Sequence, residues 1–402
     1  MSLFCQGISA RAIKAGRTSS GNCERSFGTR DVCGSRLDII PKKVLHLLVE
    51  LLYYIFEKGV AFCELSQNGA QKEFCQRQGI MNITSGRSPE IVVIGGTYVD
   101  MDIRCGQIPS PGQSVIGSAL SYTVTGPGPN QAVEAALCSC DVHLISKIGG
   151  DPFAQMAKAS LAEFNVNTDF VYTAEAKNTG VVVTLVNSEG ENAACYYSGA
   201  NSALRPEDID AAEQIISEAD VCLIHGRLPQ EAIVTAVRCA KVHGTKVILN
   251  PASPIEQQGQ ESSDVPIEYF SVDILIPNLY EAAEITDHLA ANIRTAKLIG
   301  SDLVARGVGS AIITMGKRGC MVVDRSGADQ IPAFEVELVD QTARGDAFAG
   351  ALAAYCAVKD DVRGAVEFAS AAGALACTKF GSIEALPTKA EIIQLLQKED
   401  SE

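Results

Sequence analysis

The run Asp340-Gln-Thr-Ala-Arg-Gly-Asp346-Ala-Phe-Ala-Gly350 sets a carboxylate beside a turn of small residues. A strand-like segment over residues 334–339 leads in, and a helix over residues 347–358 leads out. Such a turn gathers backbone N–H groups at a helix N-terminus, where unsatisfied donors and the helix dipole stabilise an anion. Asp346 falls in the first helical turn, so a base for a hydroxyl stands next to donors for a phosphate. That pairing suits phosphoryl transfer. The plain alternative is a glycine turn whose Asp only complements the dipole. Asp100 follows the apolar segment 91–94 through Gly95-Gly-Thr-Tyr-Val, and a carboxylate accepts paired hydroxyl hydrogen bonds well. Arg227, in His225-Gly-Arg227, offers a planar two-point contact to a carboxylate or phosphate, or else faces solvent from a loop. Gly95-Gly96 lacks the Gly-x-Gly-x-x-Gly pattern of dinucleotide sites.

Residues 340–350 resemble the signature of the ribokinase-like (pfkB-type) carbohydrate kinases, Asp-Thr-x-Gly/Ala-Ala-Gly-Asp-x-Phe-x-Gly. Gln341 stands where Thr is usual, and Arg344 where a small residue is usual. The resemblance implies that Asp346 is the catalytic base and that Ala343, Arg344 and Gly345 line the anion hole. Gly126-Pro-Gly-Pro-Asn-Gln-Ala-Val133 is similar to the family's sugar-contacting Gly-Gly-Lys-Gly-Ala-Asn-Gln-Ala, with Pro127 for Lys and Pro129 for Ala. Two prolines imply a stiffer loop with fewer donors. Asp100 becomes the sugar anchor, with Gly126, Asn130 and Arg227 around it. Tyr98 stands where Asn is common, and Arg227 reverses the charge of a Glu that meets ribose.

On the nucleotide side, Asn278-Leu-Tyr-Glu281 matches the family's Asn-x-x-Glu, associated with Mg2+ and phosphate. Mg2+ keeps several waters and takes few protein oxygens. Asn278 is also a favoured helix N-cap, and both roles can coexist. Thr314-Met-Gly-Lys-Arg-Gly319 is similar to the nucleotide loop Thr-Leu-Gly-x-x-Gly, in which Gly316 and Gly319 let the backbone approach ATP. Asn250 ends a strand on the same side. Residues 376–381 resemble the segment that binds a monovalent cation such as K+. That implies ligands from Asp340, Thr342 and the carbonyls of Ala376, Lys379 and Gly381.

These residues need a frame. From residue 90 onward β and α patterns alternate, which predicts an α/β, doubly wound, mainly parallel sheet covered by helices. Buried strands are expected at 91–94, 142–148, 221–224, 246–249, 274–276 and 311–314. Helices are expected at 152–164 and from residues 211, 230, 279, 295 and 362. Two segments break the alternation, 103–125 and 180–198, and read as strands outside the main sheet. The second is a hairpin turning near residues 187–190. By resemblance they form a small β-lid that covers the sugar and pairs with a second subunit in a homodimer.

The chain has 402 residues, 47% of them apolar, enough for a large core. A net charge of −15 argues against nonspecific nucleic-acid binding. Fourteen cysteines without paired CxxC spacing read as reduced, mostly buried small residues. No run of apolar residues is long enough to imply a membrane span, and the expected location is cytoplasmic. The first 80 residues carry eleven basic and seven acidic groups, leaving 22 and 41 for the rest. Their basic, Ser-rich start suits a targeting peptide, and the apolar stretch 43–63 suits a membrane-surface helix. The favoured reading takes Met81 as the true start, because the α/β pattern is complete over 81–402 without the extension.

Together these features imply ATP-dependent phosphorylation of a primary hydroxyl on a sugar or sugar-like acceptor. A nucleoside kinase of the same fold is an alternative, since the fold does not choose the acceptor. So is a ligand-binding regulatory protein with weak catalysis, because Arg344 could fill the γ-phosphate position or instead add a stabilising charge.

Overall fold

The structure, a computed structural model, describes residues 87–252 and 265–399. The readings of residues 1–80 lie outside the described residues. In chain order the elements begin with β1 (Glu90–Ile94), β2 (Tyr98–Cys105), β3 (Gly117–Thr125), α1 (Pro127–Leu137), β4 (Asp141–Gly149) and α2 (Pro152–Glu163). Next come β5 (Val171–Ala174), β6 (Gly180–Val186), β7 (Asn192–Tyr197), α3 (Pro206–Asp210), α4 (Glu213–Glu218) and β8 (Val221–His225). Then follow α5 (Gln230–His243), β9 (Lys246–Asn250), β10 (Ile274–Leu275), α6 (Leu279–Thr286), α7 (Ile293–Arg306) and β11 (Ser310–Thr314). The chain closes with β12 (Cys320–Asp324), β13 (Gly327–Ile331), α8 (Arg344–Val358), α9 (Val362–Ala376) and α10 (Lys389–Glu399).

Nine strands form the main sheet in the order β13-β12-β11-β10-β9-β8-β1-β4-β5. From β11 to β5 every pairing is parallel, with Ile91 of β1 opposite Val142 and Val221. These strands carry apolar residues on both faces, as a parallel strand covered by helices must. Ile94, Ile145, Ile224 and Leu249 meet in the buried core. The chain steps outward from β1 to β4 and β5, returns to β8 beside β1, and continues to β11. That reversal between β1 and β8 opens a crevice at the carboxyl ends of the strands, the usual ligand position in such sheets. The two segments outside the alternation form a separate sheet, β3-β2-β6-β7, as expected for a lid. Its hairpin turns at Asn187, whose Oδ1 accepts from the amides of Glu189 and Glu191.

Three details differ from expectation. Residues 334–339 are not a strand. Pro332 interrupts the chain after β13, and the Val339 and Asp340 amides donate to the Cys377 carbonyl, a helix end rather than a neighbouring strand. The lid begins at Tyr98, not residue 103, so Asp100 sits within β2. α8 begins at Arg344, three residues before the expected start. The edge strands β5, β12 and β13 and the C-terminal helix α10 were not expected. All nine described cysteines are free thiols, and seven are buried.

Candidate active site

Ala343 is the N-cap of α8, Arg344 and Gly345 open the helix, and Asp346 occupies its third position. The Arg344 amide already donates to the Gln341 carbonyl at 3.3 Å. The amides of Gly345 and Asp346 therefore precede the first intrahelical bond, from Ala347 N to the Ala343 carbonyl.

α1 delivers the partners of Asp346. Asn130 Nδ2 donates to Asp346 Oδ2 at 2.8 Å and Gln131 Nε2 to Oδ1 at 2.9 Å. Gly350 permits this, because a Cβ there would lie 2.6 Å from the Gln131 carbonyl oxygen. Pro127 and Pro129 do not stiffen a loop, as the sequence implied. They sit in the first turn of α1, where a missing N–H removes no helical hydrogen bond. Gly126 immediately before them has φ 106, in the left-handed region that favours glycine.

The Asn130 amide is itself anchored. Ser382 Oγ donates to Asn130 Oδ1 at 2.8 Å and lies 2.7 Å from Thr125 Oγ1. Ser382 has one hydroxyl proton, so Thr125 must donate to it. Burial pushes the Asp346 carboxyl above its usual value of 3.8, while the Asn130 and Gln131 hydrogen bonds and the nearby Arg227 charge oppose the rise. His225 is driven down to about 3, first by burial and then by Arg227. Its Nδ1 accepts from the Arg227 amide, so the ring is neutral with the proton on Nε2.

Asp346 faces a cavity of about 790 Å3 at the carboxyl ends of β8 to β11. Arg227, Thr342, Arg344 and Gly345 line the same cavity. The Arg227 guanidinium lies 5.5 Å from the ring centroid of Tyr196 on the lid, a cation–π contact. Asn250, Asn278, Glu281, Thr314, Gly316 and Gly319 line it too. Asn278 caps α6, its Oδ1 accepting from Tyr280 N and Glu281 N, while Glu281 Oε2 accepts from Asn278 N. Gly316 and Gly319 both have positive φ, 62 and 77.

Other expected residues stand outside that wall. Asp100 is half-buried in β2, accepts from Thr184 Oγ1 at 2.9 Å, and does not line the cavity. Burial raises its pKa, the Thr184 bond opposes the rise and Asp102 adds to it. Gly126 and Ala343 act through the helices they start. Asp340 ties two loops, accepting from Thr342 N and Oγ1 and, through its second oxygen, from Gly381 N at 3.1 Å. Ala376 is buried at the end of α9, whereas Lys379 reaches outward to Glu391 at 3.2 Å. Gln131, Ser382, Gln341 and Tyr196 complete the site and were not singled out as site residues. Ser382 follows the cation-like segment directly, but nothing local marks its contact with Asn130.

A family model described as pfkB family carbohydrate kinase matches residues 88–389. A ribokinase from Staphylococcus aureus (strain COL) is 31% identical over 310 residues, 76% of this chain and 99% of that protein. A deoxyribokinase from Salmonella typhi is 30% identical over 306 residues, 74% of this chain and 96% of that protein. The solved structure of Arabidopsis thaliana ribokinase complexed with ribose and ATP superimposes with a TM-score of 0.70. It is 23% identical and covers 77% of this chain and 99% of that one.

Proposed function

This chain belongs to the pfkB family of carbohydrate kinases, and from that premise we propose that it moves the γ-phosphoryl group of ATP to a primary hydroxyl of a sugar or sugar-like acceptor. The observation that carries this reading is the Asp346 carboxylate, held by Asn130 and Gln131 at the first turn of α8 on the wall of the cavity. Asp346 takes the proton as the acceptor oxygen attacks the γ-phosphorus. The new O–P bond forms as the bond to the β–γ bridging oxygen breaks, and ADP leaves. The amides of Gly345 and Asp346 stabilise the equatorial oxygens. Apart from its two chain neighbours and the backbone of its own helix, a Cβ at Gly345 would meet nothing within 4 Å, so no other residue closes over it.

Acidic and amide oxygens on the cavity wall suit Mg2+, which Glu281 and Asn278 would hold. Bound with the nucleotide, the ion supplies charge neutralisation at the phosphates. Gly316 and Gly319 present backbone to ATP, and Thr314 and Asn250 flank them. Asp340, already crossing between residues 342 and 381, suits a K+ site with Thr342 and the carbonyls of Ala376, Lys379 and Gly381. Asp100, Gly126, Asn130 and Arg227 form the acceptor side, with Asp100 brought in by the lid. The protein is expected in the cytoplasm, and among the described residues no helix is long and apolar enough to cross a membrane.

The test measures ADP release with a panel of sugars and nucleosides. Sugar-stimulated ADP release is expected from the wild type. Asp346→Asn should lose roughly 10²–10⁴-fold or more in turnover while still binding nucleotide. Comparable turnover in the variant would remove the base from Asp346. Nucleoside-stimulated release without sugar response would move the acceptor class, and saturable binding without turnover would favour a regulatory binding protein.

A further inference from the structure

Two departures from the family signature touch each other. Arg344 Nη1 donates to Gln341 Oε1 at 2.8 Å, so the unusual guanidinium is held by the unusual amide. Both side chains are exposed on the cavity wall rather than packed in the core. The partner is a neutral amide, so the positive charge of Arg344 stays available to the cavity.

The direction of the arm is also fixed. A Cβ built on Gly316 would lie 3.8 Å from Arg344 Nη1, which places the guanidinium near the loop between β11 and β12. The Arg344 Cγ passes close to Gly373 on α9. Apart from its chain neighbours Arg344 and Asp346 and the backbone of its own helix, nothing lies within 4 Å of a Cβ built on Gly345. Gly316, Asp346 and Arg344 line one cavity.

We propose that the Arg344–Gln341 pair is a built-in phosphate clamp, in which Arg344 contacts the polyphosphate of the donor nucleotide and Gln341 aims it. This rests on the kinase reading of the cavity and adds a donor-side residue that the family signature does not supply. A planar guanidinium makes two-point, charge-assisted contacts to phosphate oxygens, and an amide partner restricts the rotamers it must give up on binding.

The experiment titrates a non-hydrolysable β,γ-imido ATP analogue into wild type, Arg344→Ala, Arg344→Lys and Gln341→Thr by calorimetry, with Tm measured for each. Loss of a charge-assisted contact should weaken the analogue roughly tenfold to hundredfold in Arg344→Ala. Arg344→Lys should recover part of that affinity, and Gln341→Thr should fall between wild type and Arg344→Ala. Tm should hold, and where sugar turnover is measurable KM for ATP should rise while KM for the sugar does not. Equal or tighter analogue binding by Arg344→Ala would overturn the clamp. A wild type that binds the analogue but phosphorylates nothing would sink the kinase reading and still leave the variant comparison decisive. No binding by the wild type would overturn both.

Discussion

Asp346 works in two opposing fields. Enclosure favours its neutral form, whereas two amide donors and the Arg227 charge favour the carboxylate. A base must be deprotonated to act, so activity falls as the pH drops through its raised pKa. The acid limb of kcat/KM for the acceptor is therefore expected above the usual carboxylate value of 3.8. Arg227→Gln removes the positive charge that lowers this pKa, so the limb should move to higher pH. A pH–rate profile with an unmoved limb in that variant would show that Arg227 does not reach the base electrostatically. Asp346 was legible in the sequence because Gly-Asp before a small-residue helix is a local pattern. Ser382 was not, because its bond to Asn130 joins residues 252 apart. The partnership of Gln341 with Arg344 was equally hidden, since residue type gives no side-chain direction.

At the level of elements, the site depends on how closely α1 lies against α8. Gly350 meets the backbone of Gln131 and the side chain of Glu134, and a methyl group there has no room. Gly350→Ala should cost about 1–3 kcal/mol through overpacking and lower activity by moving Asn130 and Gln131 off Asp346. Gly345→Ala makes the opposite case. Its Cβ meets nothing, so Tm should be kept or raised, yet turnover should collapse because the methyl occupies phosphate space. Thermal unfolding and initial rates on both variants check this, and equal stability losses would contradict it. The buried parallel strands were readable because both of their faces are apolar. Residues 334–339 misled because alternation signals a strand only where a neighbour offers hydrogen bonds, and here the Val339 amide and the Asp340 amide after it end on a helix terminus. The two prolines misled because loop and first helical turn tolerate Pro for the same reason, a donor that is not needed.

For the whole molecule, the lid sheet leaves Leu120, Tyr122, Tyr196 and Tyr197 exposed, with Ile116 exposed just before β3. Such a concentration of apolar side chains on one small sheet suits association with another copy. A homodimer is expected by light scattering, and Leu120→Lys should shift it to monomer. A wild type that is monomeric would dismiss the lid as an interface. The fold class was legible from alternation alone, whereas the pairing of β3, β2, β6 and β7 into a separate sheet came only with the strand order. The seating of Asp346 has a consequence for synthesis. Its cradle at residues 130 and 131 is translated more than 200 residues before it, and the latch at Ser382 emerges after it. A chain still on the ribosome, where folding proceeds from the N-terminal side, thus carries an unlatched Asp346 until Ser382 has emerged. Phosphate-transferring competence would in this way wait for a residue made well after the carboxylate it secures.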